Sequence, residues 1–177
     1  MTAQVKPRLG AADGLTLLRL PLAAAFPFAP GALERLAIVA LAAATDLADG
    51  AVARRTGGSQ WGPFLDPVVD KIFMAAAFIT LAGHGLLHPL EIAAALLRDI
   101  VAALGFAATV ILRRPVTLPA RAGGKAVTVA QVLTLIALIA ASPLARPLAW
   151  ATGAISIYAI WDYGQAARGR GVRSRKA

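Results

Sequence analysis

The sequence predicts an all-α, polytopic membrane protein with six transmembrane helices and both termini in the cytoplasm. Three observations lead there. Hydrophobic residues make up 58% of the chain and charged residues 15%, and mean hydropathy is +0.68, a balance suited to lipid rather than water. Apolar runs near the length that crosses a ~30 Å hydrocarbon layer recur along the chain, separated by Pro- and Gly-containing breakers. The basic residues are also one-sided. Lys6, Arg8, Arg54, Arg55, Arg113, Arg114, Arg121, Lys125 and the tail residues Arg168, Arg170, Arg173, Arg175 and Lys176 fall on one side of the spans. Arg35 and Arg146 fall on the other, and Arg19, Lys71 and Arg98 lie within spans. An excess of Lys and Arg marks the cytoplasmic side.

Each span follows from local signals. Asp13 precedes the apolar run 15–20 and suits a helix N-terminus. That first span stops at Phe26-Pro27-Phe28-Ala29-Pro30-Gly31. The second runs from about Leu33 to Arg54, with Thr56-Gly57-Gly58-Ser59 as the following turn. The third covers Gly62 to Ala82 and closes at Gly83-His84-Gly85; the fourth covers about Pro89 to Leu112 and stops at Arg113-Arg114-Pro115. The longest connection, rich in Pro and Arg, leads to a fifth span from about Lys125 to Ala141, broken by Ser142-Pro143. The sixth runs from about Pro147 to Tyr163. Spans one and five are short. Residues 1–167 read as one transmembrane domain, and 168–177 as a basic low-complexity tail expected to be disordered and at most a surface anchor.

Composition excludes several function classes. With no cysteine, disulfides and thiolate metal sites are absent. A net charge of +9 fits cytoplasmic loops facing anionic lipid. The basic residues cluster at loop ends and lack interleaved aromatics, so nucleic acid is not an expected partner. The N-terminal stretch has no apolar run and small-residue cleavage site of a removable signal peptide. His84 and His88 could suit a metal by their spacing, but a solvated turn is the simpler reading. Trp61, Trp150, Trp161, Tyr158 and Tyr163 read as interfacial or packing aromatics.

The chemistry concentrates between Asp46 and Asp70. At about 100° per residue, Asp46, Asp49, Gly50 and Ala53 share one helix face, and Gly62, Asp66 and Asp70 share a face of the next helix. A short turn between these helices would bring the two faces together as an oxygen-rich pocket floored by Gly and Ala. Carboxylates that close repel one another unless cations sit among them. Hard dications such as Mg²⁺ or Mn²⁺ take oxygen ligands and are commonly completed by substrate phosphates. The chemistry suggested is phosphoryl transfer, with two divalent cations clamping a diphosphate. Ionisable residues at membrane depth point to function in any case.

The order Asp46-x2-Asp49-Gly50-x2-Ala53-Arg54, a gap, then Gly62-x3-Asp66-x3-Asp70 resembles the signature of the CDP-alcohol phosphotransferase (CDP-alcohol phosphatidyltransferase) family. Every fixed position is present, and the likeness extends over most of the chain. The gap between Arg54 and Gly62 is seven residues, one fewer than is usual in the family, which predicts a tighter loop. The resemblance implies that Asp46, Asp49 and Asp66 hold the two metals. Asp70 would be a further ligand or the general base on the acceptor hydroxyl. Gly50, Ala53, Arg54 and Gly62 would accommodate the nucleotide end of the donor. Thr16 and Arg19 match an N-terminal T-x-x-R of relatives, with Asp13 where Asn is more usual, and Thr16 is assigned to the donor site.

Gly124-Lys125-x2-Thr128-x2-Gln131 and Asp66-Pro67-x2-Asp70-Lys71 are similar to segments of the phosphatidylglycerolphosphate synthases within that family. Arg98, Arg121, Lys125 and Lys71 are the candidate ligands for an acceptor phosphate. The implied reaction moves a phosphatidyl group from CDP-diacylglycerol to an alcohol, favouring sn-glycerol 3-phosphate, and releases CMP. The resemblance also implies a homodimer in the cytoplasmic membrane of a bacterium, its active site facing the cytoplasm. Another acceptor (an inositol phosphate, serine or phosphatidylglycerol), a membrane prenyltransferase and a non-enzymatic membrane scaffold are the competing readings.

Overall fold

The computed structural model describes residues 9–83, 85–111 and 122–174, and among them the regular structure is entirely helical. The helices are α1 (Ala11–Leu17), α2 (Arg19–Ala25), α3 (Ala32–Thr56), α4 (Gly62–Ala82), α5 (Pro89–Ile111), α6 (Ala122–Ile139) and α7 (Ala145–Ser174), with a 3₁₀ turn at Phe26–Phe28. The chain divides into two compact units, Met1–Gly83 and His84–Ala177.

In the first unit the expected opening span is two short helices. Pro21 has no N–H to offer the Leu17 carbonyl, so the ladder is interrupted there. Leu18 stays right-handed (φ −60°, ψ −22°) and carries the chain directly from α1 into α2. α1 packs on α3 and α4, and α2 packs on α4. The core beneath them is formed by Phe26, Val69, Phe73, Met74, Ala77, Phe78 and Leu81. Phe26 meets Phe73 edge-on, with ring centroids 6.3 Å apart. α3 ends at Gly57, whose φ of +82° is the left-handed conformation glycine adopts most readily, and Gly58 follows at +70°. Those two residues reverse the chain into α4, bringing the two Asp-bearing helices next to each other in sequence with only 57–61 between them.

α3 is long and apolar enough to cross a membrane, and only 22% of its most apolar stretch is buried. Among the described residues it is the one helix that qualifies by both length and composition, while Gly124–Ile139 is a shorter apolar helix. α4 is of similar length but carries Asp66, Asp70 and Lys71. Large apolar side chains face outward on every long helix, among them Leu47 on α3, Phe64 and Ile79 on α4, Leu104 on α5, Val129 on α6 and Trp161 on α7.

The second unit is built on α7, which packs against both α5 and α6. Small residues permit the approach: Ala95, Ala149 and Ala159 are wholly buried. A Cβ at Gly153 would stand 3.0 Å from that of Ala94. Polar groups add specific links of the kind that join helices in apolar surroundings. The hydroxyls of Thr134 and Thr152 lie 3.0 Å apart. At the start of α5, Glu91 accepts the His88 N–H at 2.8 Å and approaches Arg146 of α7 at 3.5 Å. His88 is thus part of a helix start, while His84 lies outside the described residues. α7 does not stop near Tyr163: it continues to Ser174, so residues 168–174 of the tail are helical rather than disordered. Arg is a good helix former.

Candidate active site

The four aspartates lie where their helical spacing puts them, on α3 and α4, and three of them, Asp46, Asp49 and Asp66, are joined through two residues of α1 and α2. Thr16, fully buried on α1, has its hydroxyl 2.9 Å from Asp49 Oδ2 and 2.6 Å from Asp66 Oδ1. One hydroxyl has one proton to donate, so the two carboxylates compete for it. Thr16 therefore ties the two halves of the acidic motif together without neutralising either. The neutralising charge comes from Arg19, the first residue of α2. Its Nη2 donates to Asp49 Oδ2 and lies 3.1 Å from Asp46 Oδ1.

Asp49 is buried, whereas the Asp46 side chain is 58% exposed. Asp66 and Asp70 are half-buried, one turn apart on α4. Lys71 is also half-buried. The sequence carries a signal for this role of Arg19. A guanidinium stays protonated, and one placed within an apolar run must find an acid partner.

A second set of contacts fixes the turn beside this cluster. Asp13 is not the capping residue itself but the third residue of α1, from where its Oδ2 accepts the N–H of the capping Gly10 at 2.6 Å. Its Oδ1 accepts the Ser59 hydroxyl at 2.9 Å, and Ser59 Oγ in turn accepts the Gly62 N–H at 2.7 Å. The α3–α4 turn is thereby anchored to α1. Gly62 is buried in this contact: a Cβ there would lie 3.1 Å from both Asp13 Oδ1 and Ser59 Oγ. Packing therefore accounts for its lack of a side chain. Gly50 and Ala53 are half-exposed on α3. Arg54 is exposed, with its Nη1 3.4 Å from where a Gly50 Cβ would be.

In the second unit, Arg98 lies 3.9 Å from Asp99, its side chain 20% exposed. Asp99 is buried and accepts from Gln131 Nε2 at 2.7 Å, while the same nitrogen reaches the Ala95 carbonyl at 2.9 Å. Gln131, a position of the Gly124-to-Gln131 motif, ties α6 to α5. Lys125 is exposed near the start of α6, and Arg121 lies outside the described residues.

The donor set of Asp46, Asp49, Asp66 and Asp70 is all oxygen, the chemistry that Mg²⁺ and Mn²⁺ select. In their present placement no three acidic or histidine side chains converge as a ligand set among the described residues. The guanidinium of Arg19 stands against both Asp46 and Asp49.

A family model described as CDP-alcohol phosphatidyltransferase matches residues 9–161 of the chain. The match includes α1 through α6 and most of α7. A Salmonella typhimurium protein named CDP-diacylglycerol--glycerol-3-phosphate 3-phosphatidyltransferase is 40% identical over 77 residues, 40% of this chain and 42% of the relative. A protein of the same name from Yersinia pestis (strain Pestoides F) matches with the same identity and coverage. A chloroplastic one from Oryza sativa subsp. japonica is 34% identical over 70 residues, 39% of this chain and 21% of the relative. The chain thus spans less than half the length of these curated relatives.

Proposed function

Because the chain belongs to the CDP-alcohol phosphatidyltransferase family, we propose that it transfers a phosphatidyl group from CDP-diacylglycerol to sn-glycerol 3-phosphate with release of CMP. The observation that carries this reading is the joining of Asp49 and Asp66 through Thr16. The two halves of the acidic signature form one cluster, with a small-residue face beside it. The names of the matched relatives support glycerol 3-phosphate as the acceptor over the part of their length that is shared.

Asp46, Asp49, Asp66 and Asp70 are the residues that would hold Mg²⁺ or Mn²⁺. Bound there, the cations supply the positive charge that a diphosphate and a departing CMP require. Gly50 and Ala53 leave the α3 face low enough for the nucleotide, and exposed Arg54 offers it a cation. Asp70 accepts the proton of the acceptor hydroxyl as that oxygen attacks the phosphorus bonded to diacylglycerol. The bond between that phosphorus and the bridging oxygen of CMP breaks, and CMP departs with its electron pair. Lys71, next to Asp70, supplies a cation for the acceptor phosphate; Arg98, Lys125 and Arg121 are separate candidates for that role, each tested by its own effect on the KM for glycerol 3-phosphate. Arg98 is suited to this because Asp99, itself held by Gln131, limits where the guanidinium can go.

The membrane topology belongs to the same proposal: six spans, both termini and the α3–α4 turn on the cytoplasmic side, in a homodimer. The apolar α3 and the outward-facing Leu, Ile, Phe and Trp side chains support membrane insertion. The one-sided Lys and Arg support the orientation.

Purified protein, labelled CDP-diacylglycerol and Mg²⁺ or Mn²⁺, offered a panel of alcohols with the lipid product identified, tests the reading. Phosphatidylglycerol phosphate formed only with glycerol 3-phosphate is the expected outcome. A product with a different headgroup would overturn the acceptor, and no CMP with any acceptor would overturn the reaction.

A further inference from the structure

Arg19 is bonded to both Asp46 and Asp49, and its bonding is lopsided. Its side chain is 1% exposed, and Nη2 alone serves both Asp49 and Asp46. Nε and Nη1 are buried with no hydrogen-bond partner among the described residues. A buried guanidinium is costly unless its charge and its donors are both matched. Here the charge is matched twice over and the donors are not. Thr16 meanwhile offers one proton to the two acids nearest it. This is how a cation sits when it compensates charge without a hydrogen-bonding cage of its own, and such a cation can be exchanged.

We propose that Arg19 is the resident counter-ion of Asp46 and Asp49, which those carboxylates give up when a divalent cation binds. The proposal rests on the metal-binding reading of the acidic cluster. The released guanidinium keeps its unmatched donors, which suit an oxyanion such as a phosphate. Removing the cation from Arg19 should therefore make the site bind dications more tightly, while leaving the metal-free protein less stable.

Mn²⁺ binding without any nucleotide, followed by the electron paramagnetic resonance of free Mn²⁺, tests this on the full chain in detergent. An opposite charge at this range changes a carboxylate's proton affinity by about tenfold to a thousandfold. The corresponding competition predicts that Arg19→Gln lowers the Mn²⁺ dissociation constant by at least about tenfold. Arg19→Lys, which keeps the charge, should stay within about threefold of wild type. The Arg19→Gln midpoint should fall in chelator and recover in Mn²⁺.

An unchanged or weaker Mn²⁺ affinity in folded Arg19→Gln overturns the exchange while leaving the metal site standing. Absence of Mn²⁺ binding in both wild type and variants overturns the metal reading and the exchange with it. If Arg19→Gln fails to fold, wild-type protein with ¹⁵N-labelled arginine decides, with Arg19→Lys identifying the resonance. The Arg19 Nε signal should move as diamagnetic Mg²⁺ saturates the site, and an unmoved signal at saturation overturns the exchange.

Discussion

Gly62→Ala separates two explanations for the small residue that starts α4. The sequence assigns it to nucleotide clearance, whereas the structure places it against Asp13 and Ser59. An added Cβ would lie 3.1 Å from Asp13 Oδ1 and from Ser59 Oγ, shorter than the ordinary contact range of 3.4–4 Å. Both oxygens are held: Ser59 Oγ joins Asp13 at 2.9 Å and the Gly62 N–H at 2.7 Å, and Asp13 also takes the Gly10 N–H. Relieving the contact by parting Ser59 from Asp13 leaves a buried carboxylate short of a donor, at about 1–3 kcal/mol.

The better helix propensity of alanine returns at most ~1 kcal/mol. Subtracting it leaves a net loss of up to about 2 kcal/mol, which lowers the melting midpoint of a chain this size by as much as roughly 8 °C. Thermal unfolding in detergent, with neither metal nor nucleotide present, reads the effect. Ser59→Ala should lose a similar amount, and the double variant should lose less than the sum because both act on one hydrogen bond. An unchanged Gly62→Ala midpoint, together with a raised KM for CDP-diacylglycerol, would refute the packing argument and restore the clearance one.

The second unit makes two further tests available. Gly153→Ala presses a Cβ to 3.0 Å from that of Ala94, whereas nothing lies within 4 Å of a Cβ at Gly105. Overpacking should cost Gly153→Ala about 1–3 kcal/mol before any propensity gain, and Gly105→Ala should stabilise by roughly 0.5–1 kcal/mol; equal midpoints would contradict the close α5–α7 approach. Gln131→Leu removes the donor to buried Asp99 and should cost about 1–3 kcal/mol. In a double-mutant cycle with Asp99→Leu the combined loss should fall short of the sum, since both changes remove one hydrogen bond, and strictly additive losses would count against the pair.

The parts of this protein that were legible in sequence are those set by local chemistry. The bounds of α4 follow from Gly62-Pro63 at its start and Gly83 at its end, and the α3–α4 reversal follows from paired glycines that take positive φ. The break at Leu18 is a local effect too, since Pro21 withholds an N–H from Leu17, but the apolar run hid it. The contacts that complete the site are not local. Arg19 reaches an acid 30 residues away, Thr16 one 50 residues away, and Ser59 one 46 residues away. No helical period encodes a partner at that separation. What sequence does carry is the requirement: a buried arginine and a buried acid each need a counterpart, and these helices supply one to the other. Gln131 and Asp99 show the same limit at a separation of 32.

The most direct measurement is CMP release from CDP-diacylglycerol by Asp66→Asn. Asparagine keeps an oxygen to accept from Thr16, where Asp66 Oδ1 now stands at 2.6 Å, so the thermal midpoint should hold. The negative charge is lost, and if that charge serves the reaction, turnover should fall by at least about a hundredfold. A folded Asp66→Asn protein releasing CMP at close to the wild-type rate would contradict the assignment of the α3–α4 carboxylates as the site of phosphatidyl transfer.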